Sequence, residues 1–267
     1  RNLLESCQTN IPKTMKIYLG IDIGGTKTKA VLVSGSKVLK AVTFKTPKTK
    51  VRFLALLGVI INDFKKTSKI DGVGIGFPGM IDFSSGIVLR APNLSFLNGW
   101  RALAFLKKFS RRVALGNDLQ CLLLAEQKFG ALKKKRNALV LGVGTGICGA
   151  ILIDGKAYRG KNGSAGEFGH MIIERNSTLE KLGTKSTPLT QKKRIEALGV
   201  GIANLINALD PEVVVLGGGA VIDGHVNVLK IASHARKHII SPAARKTKIV
   251  PTRLGVFAQA KGATLLF

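Results

Sequence analysis

From residue 16 onward the chain alternates short apolar runs with glycine-rich punctuation. IYLGIDI at 17–23 leads into Gly24-Gly25, then into the alternating run TKAVLVS and a further turn at Ser34-Gly35-Ser36. Apolar positions on both sides of turn residues predict strand, turn, strand. Residues 137–156, NALVLGVGTGICGAILIDGK, repeat that grammar and close on an Asp154-Gly155 hairpin signal, so the chain reads as internally duplicated. Between the two units, DGVGIGF at 71–77 predicts a strand ending at Pro78-Gly79. Val113-Ala114-Leu115 predicts another, leading into Gly116-Asn117-Asp118. Leu119, Leu122, Leu123, Glu126 and Phe129 then recur at helical spacing, which predicts a helix opening at Asn117 or Asp118 with basic residues 133–136 toward its C-terminal end. Ile195, Leu198, Ile202, Leu205, Ile206 and Leu209 mark a second amphipathic helix, closed by Asp210-Pro211. A buried strand over 213–216 follows and runs into Gly217-Gly218-Gly219.

The glycines of the second unit need separate treatment. Gly144, Gly146 and Gly149 spell GxGxxG, but a dinucleotide fingerprint requires a helix to begin at the glycines, and residues 150–155 continue as strand and hairpin. Any anion bound here would be held by the amides of the turn itself. One such hairpin is an ordinary turn; two facing across a cleft could hold the phosphates of one nucleotide. Asp118, at a strand-to-helix junction, reads alone as a helix cap and beside such loops as a functional carboxylate. The glycine triplet at 217–219 reads either as a seat for a flat adenine ring or as a tight turn.

Composition narrows the class. With 267 residues, 45% hydrophobic, and a mean hydropathy of +0.21, the chain has room for one large domain or two small ones and is not a disordered polymer. Its 31 glycines against 8 prolines suit tight turns inside ordered structure. Lys and Arg total 42 against 15 acids, a formal charge of +27, which invites a polyanion. The basic residues nevertheless come in short groups (65–66, 107–108, 111–112, 133–136, 192–194), with only 6% aromatics to stack on bases, so they read as solvated faces. Cys7, Cys121 and Cys148 form no CxxC, which points to a reducing compartment, the cytoplasm. The longest apolar stretch, 202–222, is interrupted by Asp210-Pro211-Glu212 and falls short of the roughly 20 apolar residues of a membrane span. Residues 1–14 lack the order of a signal peptide and are expected to lie outside the functional domain, since Met15 directly precedes the first strand.

DIGGTKT at 22–28, GFPGMID at 76–82, APNL at 91–94, GND at 116–118, the run GVGTGICGAILIDGKAYRGKNGSAGEFGHM at 142–171, and DPEVVVLGGG at 210–219 together resemble the successive signatures of the ROK family, glucokinase-like sugar kinases and their repressor relatives. The order and spacing match from about Met15 to the C-terminus. The resemblance implies the α/β actin-like, ribonuclease-H-like fold, two α/β domains with mixed sheets around a cleft. The smaller domain would cover 15–115 and the larger 116–267, with the last helix packing back on the first. It implies Asp118 as the general base for a sugar hydroxyl, with Asn93, Asn117, Glu167 and His170 on the hexose hydroxyls. Glu167 and His170, three apart, would share one side of a helical turn. Asp22, Gly24, Gly25, Thr26 and Lys27 correspond to the first phosphate loop, with Asp22 reaching Mg²⁺ through water. Gly144, Thr145 and Gly146 correspond to the second, and Gly217, Gly218 and Gly219 to the adenosine loop.

The chain also departs from the family. Most members follow the GH motif with a CxCGxxGCxE zinc segment, whereas MIIERNSTL at 171–179 holds no cysteine, so no zinc is expected. Glu180 resembles the glutamate that ends that motif and contacts the sugar. The stretch from Glu180 to the helix near Arg194 is short for the family. The resulting expectation is a Mg²⁺-dependent ATP:hexose kinase acting on the 6-hydroxyl of glucose or a relative. A non-catalytic sugar sensor and a polyphosphate-dependent glucokinase are the alternatives. The +27 charge would favour polyphosphate, and the LGGG loop favours ATP. No DNA partner is expected, because 14 residues before Met15 are too few for a helix-turn-helix unit. No membrane partner is expected; a homodimer is left open, as is the choice among glucose, mannose, fructose and N-acetylated hexosamines.

Overall fold

The computed structural model describes residues 15–185 and 188–267; the expectation for residues 1–14, and Cys7 with it, lies outside the described residues. The chain opens with strands β1 (Ile17–Ile23), β2 (Lys27–Ser34) and β3 (Lys37–Lys45), then helix α1 (Lys50–Thr67) and β4 (Gly72–Phe77). A small hairpin of β5 (Met80–Asp82) and β6 (Ile87–Arg90) precedes α2 (Ala102–Lys107) and β7 (Val113–Asn117), and β7 passes directly into α3 (Asp118–Phe129). The second half repeats the plan with β8 (Ala138–Val143), β9 (Ile147–Ile153) and β10 (Lys156–Tyr158). After these come a two-stranded ribbon of β11 (Ile172–Glu174) and β12 (Ser177–Thr178), α4 (Leu179–Gly183) and the long α5 (Gln191–Leu209). The chain ends through β13 (Val213–Gly217), α6 (Gly219–Ile222), α7 (Val228–Arg236), β14 (Lys248–Pro251) and α8 (Ala258–Ala263).

Two five-stranded sheets result, with orders β3-β2-β1-β4-β7 and β10-β9-β8-β13-β14. In each, the first three strands pair antiparallel and the remaining two join parallel. The duplication legible in the sequence is therefore a duplication of topology, and the architecture is the actin-like, ribonuclease-H-like one. Turn chemistry accounts for the antiparallel half: Gly35, at φ 59°, turns β2 into β3, and Asp154-Gly155, at φ 49° and 77°, turns β9 into β10. The parallel half needs helical crossovers. Phe53, Leu57, Ile60, Ile61 and Phe64 make the buried stripe that fixes α1 to the first sheet. Ala197, Leu198, Ile202, Leu205 and Ile206 do the same for α5 on the second. Asp210, in the left-handed conformation, stops α5 where sequence placed its end. No helix among the described residues is long and apolar enough to cross a membrane.

The last helix returns to the first sheet. A Cβ on Gly20 of β1 would lie 1.9 Å from the Ala260 carbonyl oxygen, and one on Gly74 of β4 would lie 1.9 Å from that of Ala263. A Cβ on Gly262 of α8 would fall 1.6 Å from the Cys121 carbonyl oxygen in α3. Strand, helix and helix thus meet backbone to backbone, with no side chain between them. Gly262→Ala is expected to lower unfolding stability by about 2–3 kcal/mol, because neither backbone can yield without moving the sheet. Gly58→Ala, mid-α1, where the nearest atom is Phe109 Cζ at 3.4 Å, should be neutral or stabilise by up to about 1 kcal/mol. Urea unfolding of the two variants beside the parent checks both signs.

Candidate active site

The register of the first sheet decides where its carboxylates emerge. Asp22 pairs with Gly76 and Phe77 with Asn117, all in parallel strands, so the ends of β1, β4 and β7 open on one edge. Asn117 caps α3: its Oδ1 accepts the Leu119 N–H at 2.9 Å while its Nδ2 donates to the Gly79 carbonyl at 3.3 Å. Asp118 is the first residue of that helix, and its Oδ1 also accepts the Leu119 N–H at 2.9 Å. Burial pushes the Asp118 carboxyl up to about 7, with the Asp22 charge adding to the effect, the Leu119 N–H opposing it, and Glu167 raising it further. Asp22 is 7% exposed. Burial lifts its carboxyl to about 6 against the pull of Lys29, whose Nζ lies 3.9 Å away from the facing position on β2.

Two glycine hairpins flank these acids. In the first, Gly24 N–H donates to the Lys27 carbonyl at 3.0 Å, Thr46 Oγ1 to that of Gly24 at 2.8 Å, and Lys48 Nζ to that of Gly25 at 2.7 Å. In the second, Gly144 N–H donates to the Gly146 carbonyl at 3.0 Å, and Ile147 N–H to Glu180 Oε2 at 2.7 Å. None of Gly24, Gly25, Gly144 and Gly146 has a positive φ; close approach selects Gly24, Gly25 and Gly146, whereas a Cβ on Gly144 would meet nothing within 4 Å. A Cβ would meet the Lys27 carbonyl oxygen at 2.7 Å from Gly24, Asn93 Cβ at 3.0 Å from Gly25, and Glu180 Oε2 at 2.6 Å from Gly146. Gly218 differs: it has φ 88°, and its Cβ would lie 2.5 Å from the Val143 carbonyl oxygen.

A cavity of about 500 Å³ collects Asp22, Gly24, Asn93, Asn117, Asp118, Gly144, Thr145, Gly146, Glu167, His170, Glu180, Gly218 and Gly219. Gly25, Thr26, Lys27 and Gly217 do not line it. Thr26 and Lys27 are exposed where β2 begins, and Gly217 lies inside β13 against Leu122. Glu167 caps the short helical turn Phe168–His170, with its Oε2 4.0 Å from His170 Nε2. Glu180 stands in the first turn of α4, where its carboxylate props the second hairpin. A second, mostly apolar cavity of about 480 Å³ adjoins the first and shares Val143, Gly144, Thr145 and Gly219 with it. Arg194, Ile195 and Leu198 of α5 line its far side, with Ala220 and Val226.

Sequence reasoning missed Met80, Arg90, Cys148 and Gln259, which also line the first cavity. Gln259 arrives on α8, which carries no periodic signal. Lys29 was legible in principle, as the residue directly across the Gly24-Gly25 hairpin from Asp22. Burial, with the charges of Asp118, Glu167 and Glu180, pushes the Cys148 thiol well above the usual range, so it stays protonated.

The donor chemistry bears differently on the two metals. After His170 the chain supplies no thiolate through residue 179, and among the described residues no group of three or more His, Cys, Asp or Glu side chains converges as metal ligands. That donor set does not fit a structural zinc site. Asp22 is a hard oxygen donor held short of water beside the first hairpin, which fits a Mg²⁺ that keeps several waters.

Among known proteins, the chain is 27% identical to a glucokinase of Halalkalibacterium halodurans, over 85% of this chain and 87% of that one. It is also 27% identical to a xylose repressor of Caldicellulosiruptor bescii, over 83% of this chain and 70% of the repressor. A ROK family glucokinase from Streptomyces griseus, solved in complex with glucose and AMPPNP, superposes with a TM-score of 0.82 at 22% identity, covering 94% of this chain and 98% of that one. The ROK family profile matches residues 18–186 and 179–267, nearly the whole chain, and the chain therefore belongs to the ROK family.

Proposed function

We propose that the protein is an ATP-dependent hexose kinase that phosphorylates the 6-hydroxyl of glucose or a close relative in the cytoplasm. One observation carries this reading. A desolvated carboxylate, Asp118, faces the same cavity as both glycine hairpins, and that cavity continues past Gly144 and Thr145 into an apolar compartment. The compartment suits an adenosine, for which a polyphosphate donor would have no use. The ternary complex of the Streptomyces griseus relative with glucose and AMPPNP supports the same pairing of ligands.

In this scheme the sugar hydroxyl oxygen attacks the γ-phosphorus, the bond from that phosphorus to the β-bridging oxygen breaks, and ADP leaves. The hydroxyl proton passes to Asp118. Asn93, Glu167 and His170 orient the ring, and Glu180 holds the second hairpin while facing the sugar end. Asn117 acts through the helix cap: its amide is engaged with Leu119 and Gly79, and so fixes where Asp118 points. Asp22 would hold Mg²⁺ through water, and the ion would neutralise the phosphate charge. The repressor among the relatives makes sugar sensing without turnover the second reading, and catalysis by Asp118 discriminates the two.

An assay of sugar phosphate formed over a hexose panel, with ATP and polyphosphate as donors and ADP release followed in the ATP arm, tests the proposal. Turnover with ATP and at least one hexose is expected; binding of sugar without phosphorylation by either donor would leave the sensor. Asp118→Asn should lower kcat by about 10²- to 10⁴-fold with nucleotide affinity nearly unchanged, whereas Glu167→Gln should chiefly raise the sugar KM.

The raised carboxyls give a second, independent measurement. A folded-state value above the unfolded 3.8 means that the folded protein binds more protons between the two, so stability falls as pH rises through that window. Removing the ionisable group removes the penalty. Asp118→Asn is thus expected to melt higher than the parent at pH 8, with the gap closing as pH falls through about 7 toward 4. Calorimetric scans across that range check it. In the parent, kcat/KM should lose activity below an apparent value near 7, as Asp118 takes up its proton.

A further inference from the structure

Outside both cavities, α7 carries His234, and His238 follows one turn later, just past the helix end. Their Nε2 atoms face each other at 3.3 Å, with ring centroids 5.0 Å apart and planes tilted by 46°. That separation exceeds the roughly 2.7–3.2 Å of a well-formed N–H hydrogen bond, and an in-line contact of this length would hold the centroids about 5.5 Å apart. The rings are bent toward each other instead. Two imidazoles bound to one tetrahedral ion at about 2.0–2.1 Å have their nitrogens about 3.3–3.4 Å apart and their centroids about 5.2 Å apart.

From this geometry we propose that His234 and His238 form a two-imidazole chelate for a borderline divalent transition-metal ion, with water completing its coordination. Histidines one turn apart are suited to share an ion, and because the backbone stays right-handed through Lys237, His238 comes back beside His234 although it lies past the helix end. Ions of this class bind imidazole in the order Zn²⁺ below Cu²⁺ and Ni²⁺ below Cu²⁺.

The surroundings favour the ligand state. The His234 ring packs on Gly199 of α5, where a Cβ would lie 2.8 Å from its Cδ2, so its orientation is fixed before any ion arrives. Burial, then the neighbouring His238, hold the His234 imidazole below the usual range against the pull of Glu196. His238 is exposed. Its segment is tied to α5 by Asn207, whose Nδ2 donates to the His238 carbonyl at 3.0 Å and whose Oδ1 accepts the Ile240 N–H at 3.1 Å. No third His, Cys, Asp or Glu among the described residues joins the pair, so the site is a surface staple between the end of α7 and the turn after it. It is not a catalytic centre.

The test is a calorimetric titration of the full chain with Ni²⁺ alone. One Ni²⁺ per chain is expected, with affinity at least about tenfold weaker in His234→Gln and in His238→Gln and unchanged in His225→Gln. Ni²⁺ should also raise the melting temperature of the parent and not that of His238→Gln, whose metal-free melting temperature should equal the parent's, since the side chain is exposed. Absence of saturable binding in the parent, or binding that survives both substitutions, would overturn the assignment.

Discussion

Two carboxylates that repel each other share one poorly hydrated floor, and the rest of the site is arranged around that conflict. Asp22 and Asp118 come from different strands of the first sheet, yet parallel register delivers both to the same edge. Burial lifts both, and at Asp118 the Asp22 charge adds to that lift while at Asp22 the Lys29 charge opposes it. The N-terminus of α3 favours an anion at Asp118 by about 0.3–1 kcal/mol, and the net upward direction shows that desolvation wins. Such an arrangement is costly for a resting protein. In the proposed reaction it would become useful once a cation neutralised Asp22 and a hydroxyl approached Asp118, because a base of raised affinity takes a hydroxyl proton more readily than one solvated by water.

Holding that arrangement open falls to backbone contacts more than to side chains. α8 lies against β1 and β4 through Gly20, Gly74 and its own Gly262, and packs on α3, the helix that begins with Asp118. The first sheet, α3 and the C-terminal segment therefore move as one body or not at all. Glu126, 1% exposed, adds a polar tie at the far end of α3: its Oε1 accepts from Thr252 Oγ1 at 2.5 Å, and its Oε2 from Ala131 N–H at 2.8 Å. Thr252 immediately follows β14 and opens the path into α8. Both passages between the two sheets, at 117–118 and 252–258, are thus braced by α3.

What the sequence made legible follows the physics of each element. Period-two apolar runs and hairpin glycines located β1, β2, β8 and β9, since sheets with one register leave a strong pattern. Asp118 at a helix start was visible because capping demands a short polar side chain and the preceding strand was apolar. α8 was not readable from periodicity: AQAKGA presents small residues for close approach, and close approach leaves no hydrophobic stripe. Thr26 and Lys27 belong to the first phosphate motif by sequence, but their backbone carbonyls already accept from Thr46 and Gly24, which draws them into the hairpin stem. Arg90 and Met80 escaped notice for the opposite reason. They belong to a small hairpin whose position over the cavity depends on tertiary packing that no local pattern encodes.

The net charge of +27 acquires a different meaning once the acids are located. Four of the 15 acidic residues, Asp22, Asp118, Glu167 and Glu180, line one cavity, while cations outnumber acids nearly threefold over the chain as a whole. Over distances beyond the Debye length, about 8 Å at physiological salt, exposed lysines are screened and act mainly on encounter rates. Within the cavity the local field is set by the acids, by the turn amides, and by Arg90 and the Lys29 that faces Asp22. A polyanion steered toward the protein by its surface would thus meet a negative floor at the end of the path, tolerable only where amides and a cation intervene. This separates attraction from binding: the surface can speed the arrival of any phosphate chain, and under the proposed function the apolar compartment beside Gly144 and Thr145 would favour one that carries a base.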